Sequence, residues 1–92
     1  MTRQVRVKLS ALLHRVANWQ EVVDVSGETP LQCLEELETR YPDMRKWTRA
    51  KDGALLPQLH FFWNGERIYR DELGRQLGDG DELFIGIAVL GG

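Results

Sequence analysis

The residues best suited to chemistry in this 92-residue sequence are its last three, Leu90-Gly91-Gly92, which follow the alternating apolar run Leu83, Ile85 and Ile87. A terminal carboxylate is a poor electrophile. To act as an acyl donor it must first be activated, typically as an acyl adenylate, inside another protein's pocket. A tail that enters such a pocket has to be thin, flexible and able to present its backbone closely, which two residues without Cβ atoms allow. Extended at ~3.3 Å per residue, residues 89–92 reach about 13 Å, enough to enter a narrow channel while the folded body stays outside. With glycine near 7% of average composition, a Gly-Gly ending arises by chance in roughly 0.5% of chains. No tag or linker composition accompanies this one to mark it as a cloning scar.

The other reactive side chains do not assemble into a set. His14 and His60 are the only histidines, and neither sits in a local metal or catalytic motif, so each is expected to play a structural part. Cys33 is the single cysteine. It can form no internal disulfide, offers no metal-ligand spacing, and agrees with a reducing compartment. There is no Ser-His-Asp set, glycine-rich phosphate loop or pair of carboxylates with a reason to share a cleft, so an enzyme acting alone is not expected.

The tail needs a body to position it. Val5, Val7 and Leu9 alternate with Arg6 and Lys8, the period of a strand with one buried face. Residues 11–18 lack a clear period and read as a loop, before a second strand at 20–25 rich in Val22, Val23 and Val25. Thr29-Pro30-Leu31-Gln32 reads as a helix start, with Thr29 as N-cap, Pro30 in the first turn and Gln32 completing a capping box. Leu31, Leu34 and Leu37, flanked by Cys33 and Tyr41, form the apolar stripe, while Glu35, Glu36, Glu38 and Arg40 are expected to face water. Cys33 is expected to pack there as a small apolar group. Pro42 ends the helix near Tyr41.

Residues 43–57 read as a loop, with a short helical turn around Met44 and Trp47 and a bend at Lys51-Asp52-Gly53. Leu59, Phe61 and Trp63 alternate into Asn64-Gly65, a two-residue hairpin turn, and 66–69 returns as a short strand. One helical turn is expected within 71–77. Gly78-Asp79-Gly80-Asp81 then bends the chain into a last strand at 82–89. Strands and helix do not alternate as in a doubly wound fold. The expectation is an α+β, ubiquitin-like β-grasp: a mixed sheet of about four to five strands with one main helix packed across it. Residues 1–92 are expected to form a single domain, with 89–92 as its tail.

Composition narrows the partners. Twelve Lys and Arg against fourteen Asp and Glu give a net charge of -2, with both signs spread along the chain. Nothing here provides the clustered cations that neutralise several phosphates at once, so no nucleic acid is expected. No run approaches the roughly 20 apolar residues of a membrane span, and Met1-Thr2-Arg3-Gln4 lacks a secretion signal's apolar stretch, so the cytoplasm is the expected compartment and no membrane partner is expected.

The pattern resembles the ThiS/MoaD group of ubiquitin-like sulfur carriers, relatives of the small subunit of molybdopterin synthase. The resemblance spans nearly the whole chain: Val5-Arg6-Val7-Lys8-Leu9, Thr29-Pro30-Leu31, Tyr41-Pro42, and 61–65. Its most specific part is Leu77-Gly78-Asp79-Gly80-Asp81-Glu82-Leu83 leading to Ala88-Val89-Leu90-Gly91-Gly92. Where members often carry proline ahead of the tail, this chain has Gly86-Ile87-Ala88. Its length is closer to the molybdopterin-synthase and cysteine-pathway carriers than to the shorter thiamin-pathway ones.

The resemblance implies that an E1-like adenylating enzyme, using ATP, activates Gly92. A sulfur donor protein then converts it to a thiocarboxylate, and a downstream sulfur-accepting enzyme takes the sulfur. Leu90 and Gly91 thread into the partner, and the chain itself binds no cofactor or metal and supplies no catalytic residue. Molybdopterin, cysteine, thiamin, a tungsten cofactor and a secondary metabolite are all compatible pathways.

A carrier must also be recognised. In a β-grasp sheet the last strand lies between the first and third, so outward-facing Phe84 should neighbour Phe62 and His60 on one side and Arg6 and Lys8 on the other, forming a docking patch. The competing expectation is that residues 45–56 cover Phe62 or Phe84. Two further functional readings start from the same residues: a ubiquitin-like modifier joined through Gly92 to lysines, and a β-grasp interaction module whose tail is irrelevant.

Overall fold

Why these segments form one sheet is visible in their burial. In a computed structural model, which describes residues 4–88, strand β1 (Gln4–Leu9) buries Val5, Val7 and Leu9 and exposes the residues between them. Strands β2 (Val22–Ser26), β3 (Leu59–Trp63), β4 (Glu66–Ile68) and β5 (Glu82–Ile87) complete a mixed sheet in the order β2-β1-β5-β3-β4. β1 and β5 run parallel, and the other neighbours are antiparallel. The last strand is therefore central, as the sequence reading places it. The expected 82–89 strand ends at Ile87 within the described residues. Leu90, Gly91 and Gly92 lie outside them.

The main helix α2 (Pro30–Arg40) packs across the inner face of the sheet. Thr29 Oγ1 accepts from Gln32 N at 3.1 Å, the expected cap. The reciprocal bond differs in one respect: Gln32 Oε1 accepts from Glu28 N at 2.9 Å, one residue before the cap. Cys33, Leu34 and Leu37 are fully buried against Val5, Val7, Phe61 and Ile85. Full burial of an apolar side chain of this size contributes about 1.5–3 kcal/mol. Burial, with Glu36 adding to it, pushes the Cys33 thiol up to about 11. The group is packing material and stays protonated.

Three segments differ from the sequence reading. Residues 11–18 are not a loop: α1 (Ala11–His14) and a 3-10 turn (Arg15–Ala17) bury Leu13 and Ala17. A single turn with one buried pair is too short to show a period. His14 Nε2 lies 2.8 Å from Leu9 O, so this histidine is satisfied by backbone. The helical turn expected within 71–77 is instead a 3-10 turn at Arg70–Glu72.

The third difference is energetic. Glu38 does not face water; it is 5% exposed. Its Oε2 accepts from Thr48 Oγ1 at 2.6 Å and Arg49 Nε at 2.8 Å, and its Oε1 accepts from Arg49 Nη2 at 2.9 Å. Arg49 also donates to Gly53 O at 3.1 Å. Residues 42–48, a 3-10 turn followed by α3 (Arg45–Thr48), are thereby tied to α2, with Met44 and Thr48 fully buried beneath. Three hydrogen bonds, two of them from a bidentate guanidinium, offset the cost of taking this carboxylate out of water. The hydrogen bonds it donates to Glu38 hold Arg49 above its ordinary value despite burial.

Removing one partner leaves the other charged, buried and unpaired. Glu38→Ala is expected to lower stability by about 3 kcal/mol in urea denaturation. A loss under about 1 kcal/mol would mean that apolar packing alone holds residues 42–56 in place.

Candidate functional site

The end of β5 is positioned from both edges. Ser10 N donates to Ile85 O at 3.1 Å, Ile87 N donates to Ser10 Oγ at 3.2 Å, and Ala88 N donates to Gln58 O at 2.9 Å. Ala88 is therefore held at a fixed point between the β1–α1 junction and the start of β3.

The start of β5 is clamped by Asp81. Its Oδ2 accepts from Gly78 N at 2.7 Å and Trp63 Nε1 at 3.0 Å, and its Oδ1 accepts from Asn64 Nδ2 at 3.2 Å. Arg6 N donates to Asp81 O, Gly80 N to Gln4 O, and Gln4 N to Asp79 Oδ1, each at 3.1 Å. Asn64 also exchanges two bonds with Glu82, both 2.9 Å. Asn64 and Gly65 make the hairpin turn with φ of 49° and 88°, the left-handed pair that the two-residue loop requires. The Gly78-to-Glu82 segment thus joins the start of β1, the β3–β4 hairpin and β5 at one end of the sheet. The bond from Gly78 N, followed by those from Asn64 and Trp63, holds the Asp81 carboxyl below its ordinary value against a smaller opposing effect of burial.

On the outer face, register settles which expected docking residues meet. Phe84 lies opposite Lys8 on β1 and Phe62 on β3. The two phenyl rings meet edge to face, 5.9 Å apart at 72°. His60 lies opposite Gly86 and Arg6 opposite Glu82. Residues 45–56 are bound to α2 on the inner side through Glu38, and Phe84 remains 36% exposed. Lys8 is paired with Glu82 at 3.2 Å and Arg6 with Asp24 at 3.9 Å, both exposed pairs of small energetic weight.

Gly86 has a steric task on this face. A Cβ built there would lie 2.6 Å from Phe84 Cε1 and 3.4 Å from Ser10 Cβ. The Phe84 ring lies over the Gly86 backbone, an approach no other residue permits without displacing the ring.

The sequence reading did not include Arg67, which register places beside Phe62. The two-residue turn could have revealed it, because Asn64-Gly65 fixes the pairs 63 with 66 and 62 with 67. Arg67 stacks over Tyr69 at 5.0 Å and has no carboxylate partner among the described residues. Burial, then the charges of Arg67 and Arg70, lower the basicity of His60, whose Nδ1 is buried without a hydrogen-bond partner. The outer face therefore presents two phenylalanines and a neutral histidine with an unpaired guanidinium at their side. Among the described residues no group of three or more His, Cys, Asp or Glu could hold a metal, and no helix is long and apolar enough to cross a membrane.

Neither a protein-family model nor a curated protein matches the chain. Solved structures do. Small archaeal modifier protein 1 (SAMP1) from Methanosarcina acetivorans is similar with a TM-score of 0.85 and 28% identity, over 100% of this chain and 99% of that one. SAMP1 from Haloferax volcanii gives 0.83 and 29%, over 97% and 99%. The Amycolatopsis orientalis BexX/CysO complex contains a chain matching at 0.80 and 25%, over 96% and 99%. The fold is the ubiquitin-like β-grasp, and the resemblance to the ThiS/MoaD type holds at the level of structure.

Because Asp81 ionises more readily folded than unfolded, its contribution to stability is complete above the ordinary carboxylate value of 3.8 and is lost as pH falls through the lower folded value. Asp81→Asn is expected to cost about 1–2 kcal/mol at pH 7, with the difference from the parent shrinking in acid. Urea titrations at pH 7 and pH 3 check this; an equal difference at both would show that charge is not what the three donors recognise.

Proposed function

We propose that the chain is a sulfur carrier whose Gly92 carboxylate is adenylated by an E1-like enzyme, converted to a thiocarboxylate by a sulfur donor protein, and spent by a sulfur-accepting enzyme in cofactor or cysteine biosynthesis. The observation that carries this reading is the fixed exit of β5 at Ala88, hydrogen-bonded on both sides and followed in sequence by Val89-Leu90-Gly91-Gly92. A rigid body that delivers a side-chain-free end to a constant place suits a partner that must position one carbon atom for attack. Similarity to small ubiquitin-like proteins over nearly the full length supports a ubiquitin-like carrier role, and with it a role without catalysis of its own.

In the partner's site a Gly92 carboxylate oxygen attacks the α-phosphorus of ATP and pyrophosphate leaves. The terminal sulfur of a donor persulfide then attacks the acyl carbon and AMP leaves; a second thiol attacks the donor-side sulfur of the resulting acyl disulfide, so that a disulfide forms on the donor and the Gly92 thiocarboxylate is released. Leu90 and Gly91 line the channel, and this chain contributes no acid, base, metal or bound cofactor. Molybdopterin-type chemistry and cysteine synthesis both fit a thiocarboxylate, and the cytoplasm suits a chain whose one thiol is buried and protonated. Phe84 and Phe62, flanked by His60, Arg6 and Lys8, are the proposed docking patch for the adenylating enzyme, with Arg67 added to it.

The modifier reading shares the adenylate and differs only in the nucleophile, a lysine amine in place of sulfur. It is favoured by the similarity to SAMP1, a modifier protein by name.

Intact mass spectrometry of the protein from its native cell separates the readings. The expected result is a chain ending at Gly92 with one terminal oxygen replaced by sulfur. Lysine-linked adducts in place of sulfur would establish the modifier. An unmodified carboxylate under sulfur demand, or function unchanged by deletion of Gly91 and Gly92, would leave only an interaction module.

Phe84→Ala removes the exposed ring while leaving the buried face of β5 intact. It is expected to weaken binding to the adenylating enzyme about tenfold in titration calorimetry, with a smaller effect on stability. Equal affinity of variant and parent would exclude the patch as a docking site.

A further inference from the structure

Beside Ala88, just past the end of β5, lies an apolar collar that the carrier reading does not use. Leu12 from α1, Trp47 from α3, Leu56, Ile87 and Ala88 line one groove together with Lys46 and Gln58. Leu12 and Trp47 are large apolar side chains left 37% and 41% exposed. They do not share the outer face with Phe84: Trp47 belongs to the segment tied to α2 through Glu38.

We propose that this collar is a second docking surface, on which the apolar rim of the adenylating enzyme's channel seats when Gly92 reaches the nucleotide. The inference rests on the carrier reading, and tether length is its argument. Four residues separate Ala88 from the Gly92 carboxylate. Fully extended they span about 13 Å. Every ångström by which the acyl adenylate is recessed from the partner's surface, to keep water from it, is taken from that length. The channel mouth is therefore drawn against the residues that surround Ala88, and a charged or hydrated rim would be held there at a cost.

The composition agrees with such a contact. An exposed tryptophan among aliphatic side chains, with few polar groups beside them, is the composition of a small interface core. An outer-face patch positioned by Phe84 and a collar at the exit would together fix both the distance and the direction of the tail.

The test begins by purifying, from the native cell, the protein that exchanges pyrophosphate into ATP in a Gly92-dependent manner. Its KM for the parent chain is then compared with that for the double variant L12S/W47S and for V22S on the far edge strand, each checked for native circular dichroism. The double variant is expected to raise KM about tenfold with kcat within twofold, and V22S to leave both unchanged. A folded double variant with KM within twofold of the parent would overturn the collar while leaving the carrier reading intact. If the double variant does not fold, a benzophenone side chain replacing Trp47 provides the same answer. A crosslink to the purified enzyme that is lost when Gly91 and Gly92 are deleted supports the collar, and no crosslink overturns it. An absence of any Gly92-dependent exchange would remove the carrier reading and the collar together.

Discussion

Much of this structure depends on one constraint: β5 is hydrogen-bonded along both edges, parallel to β1 on one side and antiparallel to β3 on the other. A central strand cannot slip by one residue without turning Leu83 and Ile85 out of the core and Phe84 into it. That single register sets the outer-face neighbours of Phe84, the approach of its ring to Gly86, and the point at which the chain passes Ala88. An edge strand in the same place would leave each of these free to shift.

Two polar networks hold the constraint at its ends. At the start of β5, Asp81 gathers donors from Gly78, Trp63 and Asn64, so that the turn, the hairpin and the strand are one hydrogen-bonded unit. The cation of Arg75 lies 4.8 Å from the Trp63 ring and covers the other side of that indole. On the inner side, Glu38 and Arg49 fix residues 42–56 over α2. In both networks each carboxylate oxygen accepts at least one hydrogen bond, and such pairing is what lets polar groups inside a small protein support a unique structure instead of opposing it. Their joint effect is to divide the surface. The inner side is covered, the outer face keeps two aromatic rings open, and the exit of the chain keeps an apolar collar.

This division suits a molecule that other proteins handle. A carrier needs no cleft of its own, since the catalytic groups belong to its partners. It needs a body rigid enough that the reactive end arrives in a reproducible place. Stiffness in the sheet and thinness beyond it are different demands, met by different residues: β-branched and aromatic side chains in the strands, glycines after them.

The sequence by itself determined what local periodicity and turn chemistry encode. Alternation placed the first, third and last strands, β-branched content the second and the hairpin turn the fourth; the Thr29-Pro30 start and Tyr41-Pro42 end bounded the main helix, and Asn64-Gly65 specified the hairpin together with its register. These are interactions among residues a few positions apart, and they leave a signature in the order of side chains. The ending Leu90-Gly91-Gly92 is likewise readable as a chemical group, though its placement lies outside the described residues. What only the tertiary structure decided involves residues brought together from far along the chain. Glu38 reads as a solvated helix position because its neighbours are charged, and it is buried because Arg49 reaches it from eleven residues on. Leu13 and Ala17 make too short a helix to show a period until β5 packs against it. Arg67 joins Phe62, Asp81 joins Trp63, and Leu12 and Trp47 come to line one groove through the closing of the sheet and its cover. A carboxylate or an indole carries no local mark of a distant partner, since it is burial and geometry that turn such a pair into structure.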